Sequence, residues 1–215
     1  MTVNFLETPQ ATFGTHFWYS ISGSVTRDTT AARDPLGLSS WKCDSGAGNA
    51  AAYAYQSLTS YRMVGFFYFV DFPSSTVAIL STGTNHLCVK ITSTGILQLW
   101  NGSTAQLGSN GSTLSTGILY RIALAYDALT ATAAKVFKDG VQDISVTGVS
   151  VATNDNPVYG WLTAPGANKV LNFSHVYVDN DTSLTDPVGT GYGLYVTAKL
   201  PAAVNNNQYT TTGGT

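Results

Sequence analysis

The amino-acid sequence predicts an all-β fold in which two antiparallel sheets pack face to face. Apolar and polar residues alternate with a period of two in many short segments, which is typical of strands with one face toward a core. Gly, Asn and Ser separate these segments where tight turns are expected. No window of about 11 or more residues has a helical repeat with caps. The length of 215 residues suits a single sandwich domain.

The clearest alternation predicts two strands with a core face. In ILYRIALAYD, residues 118–127, every second side chain is bulky, and this set should face the core: Ile118, Tyr120, Ile122, Leu124 and Tyr126. In HLCVKIT, residues 86–92, one face carries Leu87, Val89 and Ile91. A turn at 93–95 then leads into ILQLW, and Asn101-Gly102 turns the chain again.

A central strand is predicted at residues 63–72, MVGFFYFVDF, because this segment is apolar on both faces and ends at Pro73. The remaining strands are expected at 12–21, 38–43, 50–56, 76–81, 132–138, 141–146, 157–162, 169–178 and 192–199.

The segment KVFKDGVQD, residues 135–143, predicts a β-hairpin. Asp139 and Gly140 supply the positive backbone angles of a two-residue turn. Val136 or Phe137 before the turn and Val141 after it are expected to be buried.

The chain divides into three predicted parts. Residues 1–37 are an N-terminal segment with the first strands of the sandwich, residues 38–201 are the main domain, and residues 202–215 are a polar tail. The tail has no periodicity, so we expect a flexible end or an arm that a partner orders.

Charge argues against two classes of partner. Charged residues make up 10% of the chain, and 10 basic against 12 acidic residues leave a net charge of −2, with no run of either sign. Nucleic acid and anionic membranes require clustered Lys and Arg, so we expect neither as a partner.

The sequence also has no basic segment followed by an apolar run at its start and no apolar run of roughly 18 residues, so we expect neither an export signal nor a membrane span.

Residues for catalysis are scarce. Glycoside cleavage needs two carboxyl groups that face each other. Glu7 is the sole glutamate, and the aspartate pairs Asp139/Asp143 and Asp179/Asp181 lie at a predicted turn and a strand end, where a solvated turn role is expected. We therefore predict no enzymatic activity and no catalytic residues.

Metal ligands and disulfides are equally sparse. His16, His86 and His175 are far apart in sequence, and no second ligand follows any of them at metal spacing. The run from Asp179 to Asp181 lacks the Gly and Glu of an EF-hand loop, so no metal or cofactor is predicted, although calcium held by other loops stays open. Two cysteines, Cys43 and Cys88, are expected to be buried free thiols, with their pairing left open.

Four aromatic residues are candidates for a glycan site, because a flat ring can stack on a sugar. Trp41, Trp100 and Trp161 lie at predicted strand ends beside small or polar residues, and Tyr159 shares a face with Trp161. Packing in the core or at a sheet edge is the first interpretation of each, and glycan binding is the alternative hypothesis.

Several segments in succession resemble the laminin-G/concanavalin-A-like jelly roll: VAILSTGTNHLCVKITSTGILQLWNGS, LSTGILYRIALAYD, AAKVFKDGVQD and VLNFSHVYVDND. The matching positions are Gly117, Tyr120, Tyr126-Asp127 and Asp139-Gly140. The closing segment, residues 176–201, is similar to the end of concanavalin-A-like domains in bacteriophage virion proteins. The resemblance spans residues 38–201.

The resemblance implies a binding or structural module, since this fold hosts lectins, adhesion domains and particle components as well as glucanases. Glucanases of this fold carry Glu-x-Asp-x-x-Glu on one strand, and this sequence has no such segment. We therefore expect a non-enzymatic structural component of a virus particle, located in the virion and exposed on its capsid or tail. Its expected partners are other virion proteins, glycans or the host surface, and further copies of itself in a symmetric homo-oligomer. A carbohydrate-binding module of a cellular protein is the first alternative, and a glycosidase that uses aspartates is the second.

Overall fold

The computed structural model describes residues 3–7, 18–35, 39–46, 48–54, 60–83, 86–102, 104–151 and 156–187, which form a sandwich of two antiparallel sheets. Its strands are β1 (Val3–Glu7), β2 (Trp18–Ser22), β3 (Ser24–Asp28), β4 (Ser40–Asp44), β5 (Ala50–Ala54), β6 (Tyr61–Phe69), β7 (Val77–Ser81), β8 (Leu87–Ile91), β9 (Leu97–Asn101), β10 (Ala105–Leu107), β11 (Leu119–Asp127), β12 (Ala133–Lys138), β13 (Val141–Thr147), β14 (Val158–Trp161) and β15 (Val170–Asp179). A 3-10 turn covers Ala31–Arg33, and no helix among the described residues is long and apolar enough to cross a membrane.

The strand order is that of a jelly roll. Sheet A runs β13-β12-β11-β6-β15-β4-β3, with β1 also paired to β15, and sheet B runs β10-β9-β8-β7-β14-β5-β2. Strands from distant parts of the chain are neighbours, as when β6 lies between β11 and β15. The chain therefore crosses repeatedly between the two sheets, and the predicted all-β jelly-roll sandwich is confirmed.

The core lies between the sheets and is filled by the faces that the period-two pattern predicted. The residues of this core include Met63, Phe67, Phe69, Leu87, Val89, Ile91, Leu97, Leu99, Ile122, Leu124, Tyr126 and Phe173. Each large apolar side chain buried in this way contributes roughly 1.5–3 kcal/mol. Ile118 is an exception, because it precedes β11 and is 49% exposed.

Most predicted strands correspond to observed ones, and the central strand is β6, flanked by β11 and β15. Two short strands were not predicted. The side chains of β3 are largely exposed, and β10 has three residues, so neither shows an apolar alternation. Strand β1 was also missed. The predicted strand at 192–199 and the tail at 202–215 lie outside the described residues, as does the part of 12–21 that precedes β2.

The hairpin at KVFKDGVQD is confirmed. Asp139 has φ of 52° and Gly140 has φ of 86°, as a two-residue turn requires, and Lys138 pairs with Val141 across it. Val136 and Phe137 are buried, but Val141 is 67% exposed, so its predicted burial is wrong. The reason is that β13 is the edge strand of sheet A, and Val141 is its first residue, next to the turn.

The solvated-turn role predicted for the aspartates is wrong for two of them. Asp179 is fully buried and forms an ion pair with Arg62, whose Nε and Nη2 lie 2.9 and 2.5 Å from its carboxylate oxygens. Both carboxylate oxygens of Asp143 accept hydrogen bonds from the Ser112 N–H, at 3.0 and 2.9 Å. Asp139 is a turn residue as predicted, and it also accepts a hydrogen bond from the Arg121 N–H at 2.9 Å.

The outer face of sheet A, which points away from the core, is covered by the chain itself. Leu184 packs on an apolar cluster of that face formed by Val64, Ala123, Ala125, Phe137 and Tyr177. Arg121 pairs with Asp186 at 2.9 Å, and both side chains are buried. Residues that follow β15 thus close part of this face against solvent.

Candidate functional site

Three of the four aromatic candidates are core residues. Trp41 is 1% exposed, and Tyr159 and Trp161 are fully buried. Tyr159 donates its hydroxyl hydrogen to the Tyr177 carbonyl at 3.2 Å, and Trp161 donates its Nε1–H to the Lys169 carbonyl at 3.2 Å. No ring face of these three is open to a sugar. The glycan hypothesis is therefore corrected for them, and the packing interpretation holds.

Trp100 is the candidate that the structure leaves at the surface. It lies on β9, where Leu97 and Leu99 enter the core and Gln98 and Trp100 point to the outer face of sheet B. The indole is partly exposed. It therefore lies where a flat ring can meet a ligand, on the sheet opposite to the one that residues 180–187 cover.

One side-chain amide holds the indole in place, and two more extend the polar surface around it. The Trp100 Nε1–H donates to Gln98 Oε1 at 2.9 Å, and Gln98 Nε2 donates to Asn110 Oδ1 at 2.8 Å. Gln106, directly opposite Trp100 on β10, donates to the same Asn110 oxygen at 2.9 Å. All three amides are partly or fully exposed. Together they offer the mixed donors and acceptors that sugar hydroxyls need.

A lysine completes this surface. Lys90 lies on β8 opposite Gln98, and its Nζ is 4.0 Å from the centroid of the Trp100 ring, within the range of a cation–π contact. Lys90, Gln98, Trp100, Gln106 and Asn110 are called the Trp100 patch below. Of these five, Lys90 alone carries a charge.

Two hairpins build the Trp100 patch. The β8–β9 turn uses Gly95 at φ of 81°, where an added Cβ would lie 2.6 Å from the Phe72 ring and 2.8 Å from the Leu114 carbonyl oxygen. The β9–β10 turn uses Asn101 and Gly102, as predicted, and Gly102 has φ of 55°. The pairing of β9 with both β8 and β10 places the patch side chains beside each other.

The segment that carries Asn110 is anchored to the other sheet. Ser112 donates both its N–H and its hydroxyl hydrogen to Asp143 on β13. Gly111 leaves no room for a side chain, because an added Cβ would lie 2.3 Å from Asp143 Oδ2. Its N–H donates to the Leu97 carbonyl at 2.9 Å. Asp143, which looked like a turn residue, thereby positions one amide of the patch.

Cys88 lies opposite Trp100 in the register of the β8–β9 hairpin, and its thiol is buried. Burial raises the pKa of Cys88 to about 12, so it is a neutral thiol at physiological pH. Burial also raises the pKa of Cys43, which faces the core from β4. Both cysteines are free, which confirms the predicted buried thiols.

Outside the Trp100 patch, the described residues offer few groups for catalysis or metal binding. His175 is buried, with its Nε2 2.9 Å from Asp34 Oδ2, and His86 is partly exposed, while His16 lies outside the described residues. Within the described part of the chain, no three His, Cys, Asp or Glu side chains group as metal ligands. Asp179 and Asp181 both pair with Arg62, and Asp139 lies in the β12–β13 turn. Asp143 contacts the segment that carries Asn110, as described above.

Sequence reasoning identified Trp100 but missed its four neighbours in the patch. One available signal was the alternation in ILQLW, which puts Gln98 on the same face as Trp100. The predicted β8–β9 hairpin would also have placed Lys90 on that face, on the neighbouring strand. Asn110 left no signal, because its position depends on the contact between Ser112 and Asp143.

Comparisons with known proteins find the fold and no family. No protein-family model and no curated protein sequence matches the chain. Among solved structures, the chain is similar to the cellulose-induced protein Cip1, with a TM-score of 0.66 and 18% identity over 83% of this chain and 98% of that one. It is also similar to an endo-β-1,4-glucuronan lyase from the fungus Trichoderma reesei, with a TM-score of 0.59 and 11% identity over 87% of this chain and 100% of that one.

A third similar structure is the receptor-binding domain of botulinum neurotoxin type G, with a TM-score of 0.56 and 11% identity over 86% of this chain and 50% of that one. Identities this low carry information about fold alone. These likenesses and the strand order agree: the chain has the concanavalin-A-like jelly-roll fold.

Proposed function

We propose that this chain is a non-enzymatic carbohydrate-binding sandwich domain and that the Trp100 patch is its ligand surface. The observation that carries the proposal is a partly exposed indole that is bonded to the first member of an amide network. An aromatic ring offers a flat apolar face to the C–H side of a sugar, and amides next to it satisfy the hydroxyl groups. A ring already held by the Nε1–H bond to Gln98 loses little conformational freedom when a ligand binds.

The fold supports the general part of this proposal, which is that the domain binds carbohydrate. Structures of this fold include a polysaccharide lyase and the receptor-binding domain of a toxin. The patch itself contains no carboxylate, whereas glycoside hydrolysis needs two facing carboxyl groups. The proposed role is therefore binding and not cleavage.

The test is a binding panel of soluble polysaccharides, neutral and acidic, titrated by calorimetry with the native chain and the Trp100→Ala variant. Loss of a central aromatic contact commonly costs about 2 kcal/mol or more, so we expect affinity to fall roughly 30-fold. The control is Tyr120→Ala, because Tyr120 is another partly exposed ring with a lysine ammonium 5.6 Å from its centroid, but it lies on sheet A. The control should bind as the native chain does.

Two results would overturn the proposal. One is a Trp100→Ala variant that melts as the native chain does and binds with native affinity. The other is a native chain that binds no polysaccharide in the panel.

We further propose that the domain is a homo-oligomeric component of a virus particle, located in the virion with other virion proteins as neighbours. The support is the resemblance of residues 176–201 to the close of concanavalin-A-like domains in bacteriophage virion proteins. A low charge fraction and a fold that serves surface recognition are compatible with such a location. Mass spectrometry of purified particles should detect the chain, and its absence from the particles would contradict the proposed location in the virion.

A further inference from the structure

Lys90, like Lys135 and Lys169, has no acidic partner among the described residues, but it alone of these three lies over an aromatic ring of the Trp100 patch. Among the described residues, no carboxylate lies within ion-pair distance of its ammonium, which is 4.0 Å from the centroid of the Trp100 ring. Lys42 and Lys138, in contrast, pair with Asp44 at 2.9 Å and with Asp139 at 3.3 Å. A positive charge therefore lies at the proposed binding surface without a neighbour that neutralises it.

Asp143, which contacts the segment that carries Asn110, forms no ion pair with Lys90. Asp143 uses both oxygens on Ser112 and lies against Gly111, on the side of the segment that is anchored to β13. The rest of the Trp100 patch consists of an indole and three neutral amides. A ligand that brings a carboxylate to the patch would therefore meet an ammonium already held over the ring.

We infer that the Trp100 patch selects sugars that carry a carboxylate. In this arrangement the Lys90 ammonium turns from the Trp100 ring to the ligand carboxylate, and the indole packs against the sugar ring. The amides of Gln98, Gln106 and Asn110 bind hydroxyl groups. The inference rests on the proposed function and adds the ligand class to it. Uronic acids and sialic acids share this chemistry, and the experiment below separates the two sources.

The experiment compares polymers that differ only in charge. Polygalacturonate, hyaluronan and polysialic acid are each titrated beside the same polymer after chemical reduction of its carboxyl groups to neutral alcohols. Binding by at least one charged form should be roughly three- to ten-fold tighter than by its reduced form, as expected for one charge-assisted contact at a partly exposed site. The preference should shrink in high salt, because exposed charges are screened.

Variants assign the preference to a residue. In Lys90→Gln the ratio of charged to reduced affinity should fall to about one, whereas Trp100→Ala should weaken both forms. The matched control is Lys138→Gln, since Lys138 also lies over an aromatic ring but is already paired with Asp139. That control should keep the native ratio. Polysialic acid against the two uronate polymers identifies which source of carboxylate the patch prefers.

The outcomes separate this inference from the proposed function. If the reduced polymers bind as tightly as the charged ones, or if Lys90→Gln keeps the native ratio, the acidic-sugar inference fails while carbohydrate binding stands. If no charged or neutral polymer binds, both fail together.

Discussion

At the scale of single residues, the four aromatic candidates show how strand position decides between core and surface. Trp161 lies on β14, in the middle of sheet B between β7 and β5, and its indole is fully buried. Trp100 lies on β9, near the edge of the same sheet, on the face opposite to Leu97 and Leu99. The same residue type thus serves packing at one position and remains available for binding at the other.

The Asp139-Gly140 turn is a residue-scale feature that the sequence alone predicted. Gly140 has φ of 86°, a region that β-branched residues adopt only with strain. We expect Gly140→Val to lower the free energy of unfolding by about 1–2 kcal/mol, measured by urea denaturation. Val141→Thr is the control, because Val141 is 67% exposed and its replacement should change stability by less than about 0.5 kcal/mol. An unchanged unfolding midpoint in Gly140→Val would contradict the turn assignment.

At the scale of elements, β15 is the described strand with the most partners in sheet A, because it pairs with three other strands. Its first half pairs with β4 and its second half with β1, while β6 pairs along its other edge. The register with β6 shifts between Ser174 and Tyr177, and His175 within that irregularity has φ of 47°. This bulge re-aims the strand, so one strand can serve two partners on the same edge.

The ion pair between β6 and β15 yields an element-scale prediction. Asp179 is fully buried, and Arg62 is its cationic partner. Removal of the guanidinium in Arg62→Met would leave a buried carboxylate without a counter-charge, which costs about 3–5 kcal/mol of unfolding free energy. The control is Arg27→Met, because Arg27 lies exposed on β3 and its replacement should have little effect. Chemical denaturation monitored by tryptophan fluorescence would measure both.

A double variant tests the electrostatic reason directly. Arg62→Met with Asp179→Asn removes the uncompensated charge, so it should recover part of the stability lost in Arg62→Met. If the single and double variants are equally unstable, lost packing of the arginine stem and not the buried charge is the cause.

At the scale of the whole molecule, the period-two pattern determined the fold class. A strand that is half buried must alternate its side chains, and this alternation is visible in HLCVKIT and ILYRIALAYD without any knowledge of partners. Strands without that contrast were missed for the same reason. β3 has mostly exposed side chains, and β10 has three residues, so neither shows a buried face in its sequence.

The binding surface was predicted less completely than the fold. Trp100 could be named because it is one of four tryptophans and lies at a predicted strand end beside polar residues, but the sequence did not separate it from Trp41 and Trp161. That distinction needs the identity of the neighbouring strands, which are far apart in the chain. Polar neighbours are harder still, because Gln106 and Asn110 join the patch through a hairpin and a loop that Asp143 anchors.

The sequence by itself therefore determined the local features of this protein: strands, tight turns, the core faces of several strands and the low surface charge. These depend on residues within a few positions of one another, where backbone geometry and hydrophobic burial act directly. Tertiary structure alone decided which face of each sheet is covered, which aspartates are ion-paired, and that one indole with three amides and an unpaired lysine forms a surface. These properties depend on contacts between segments that are distant in the chain, and no local pattern encodes which segments meet.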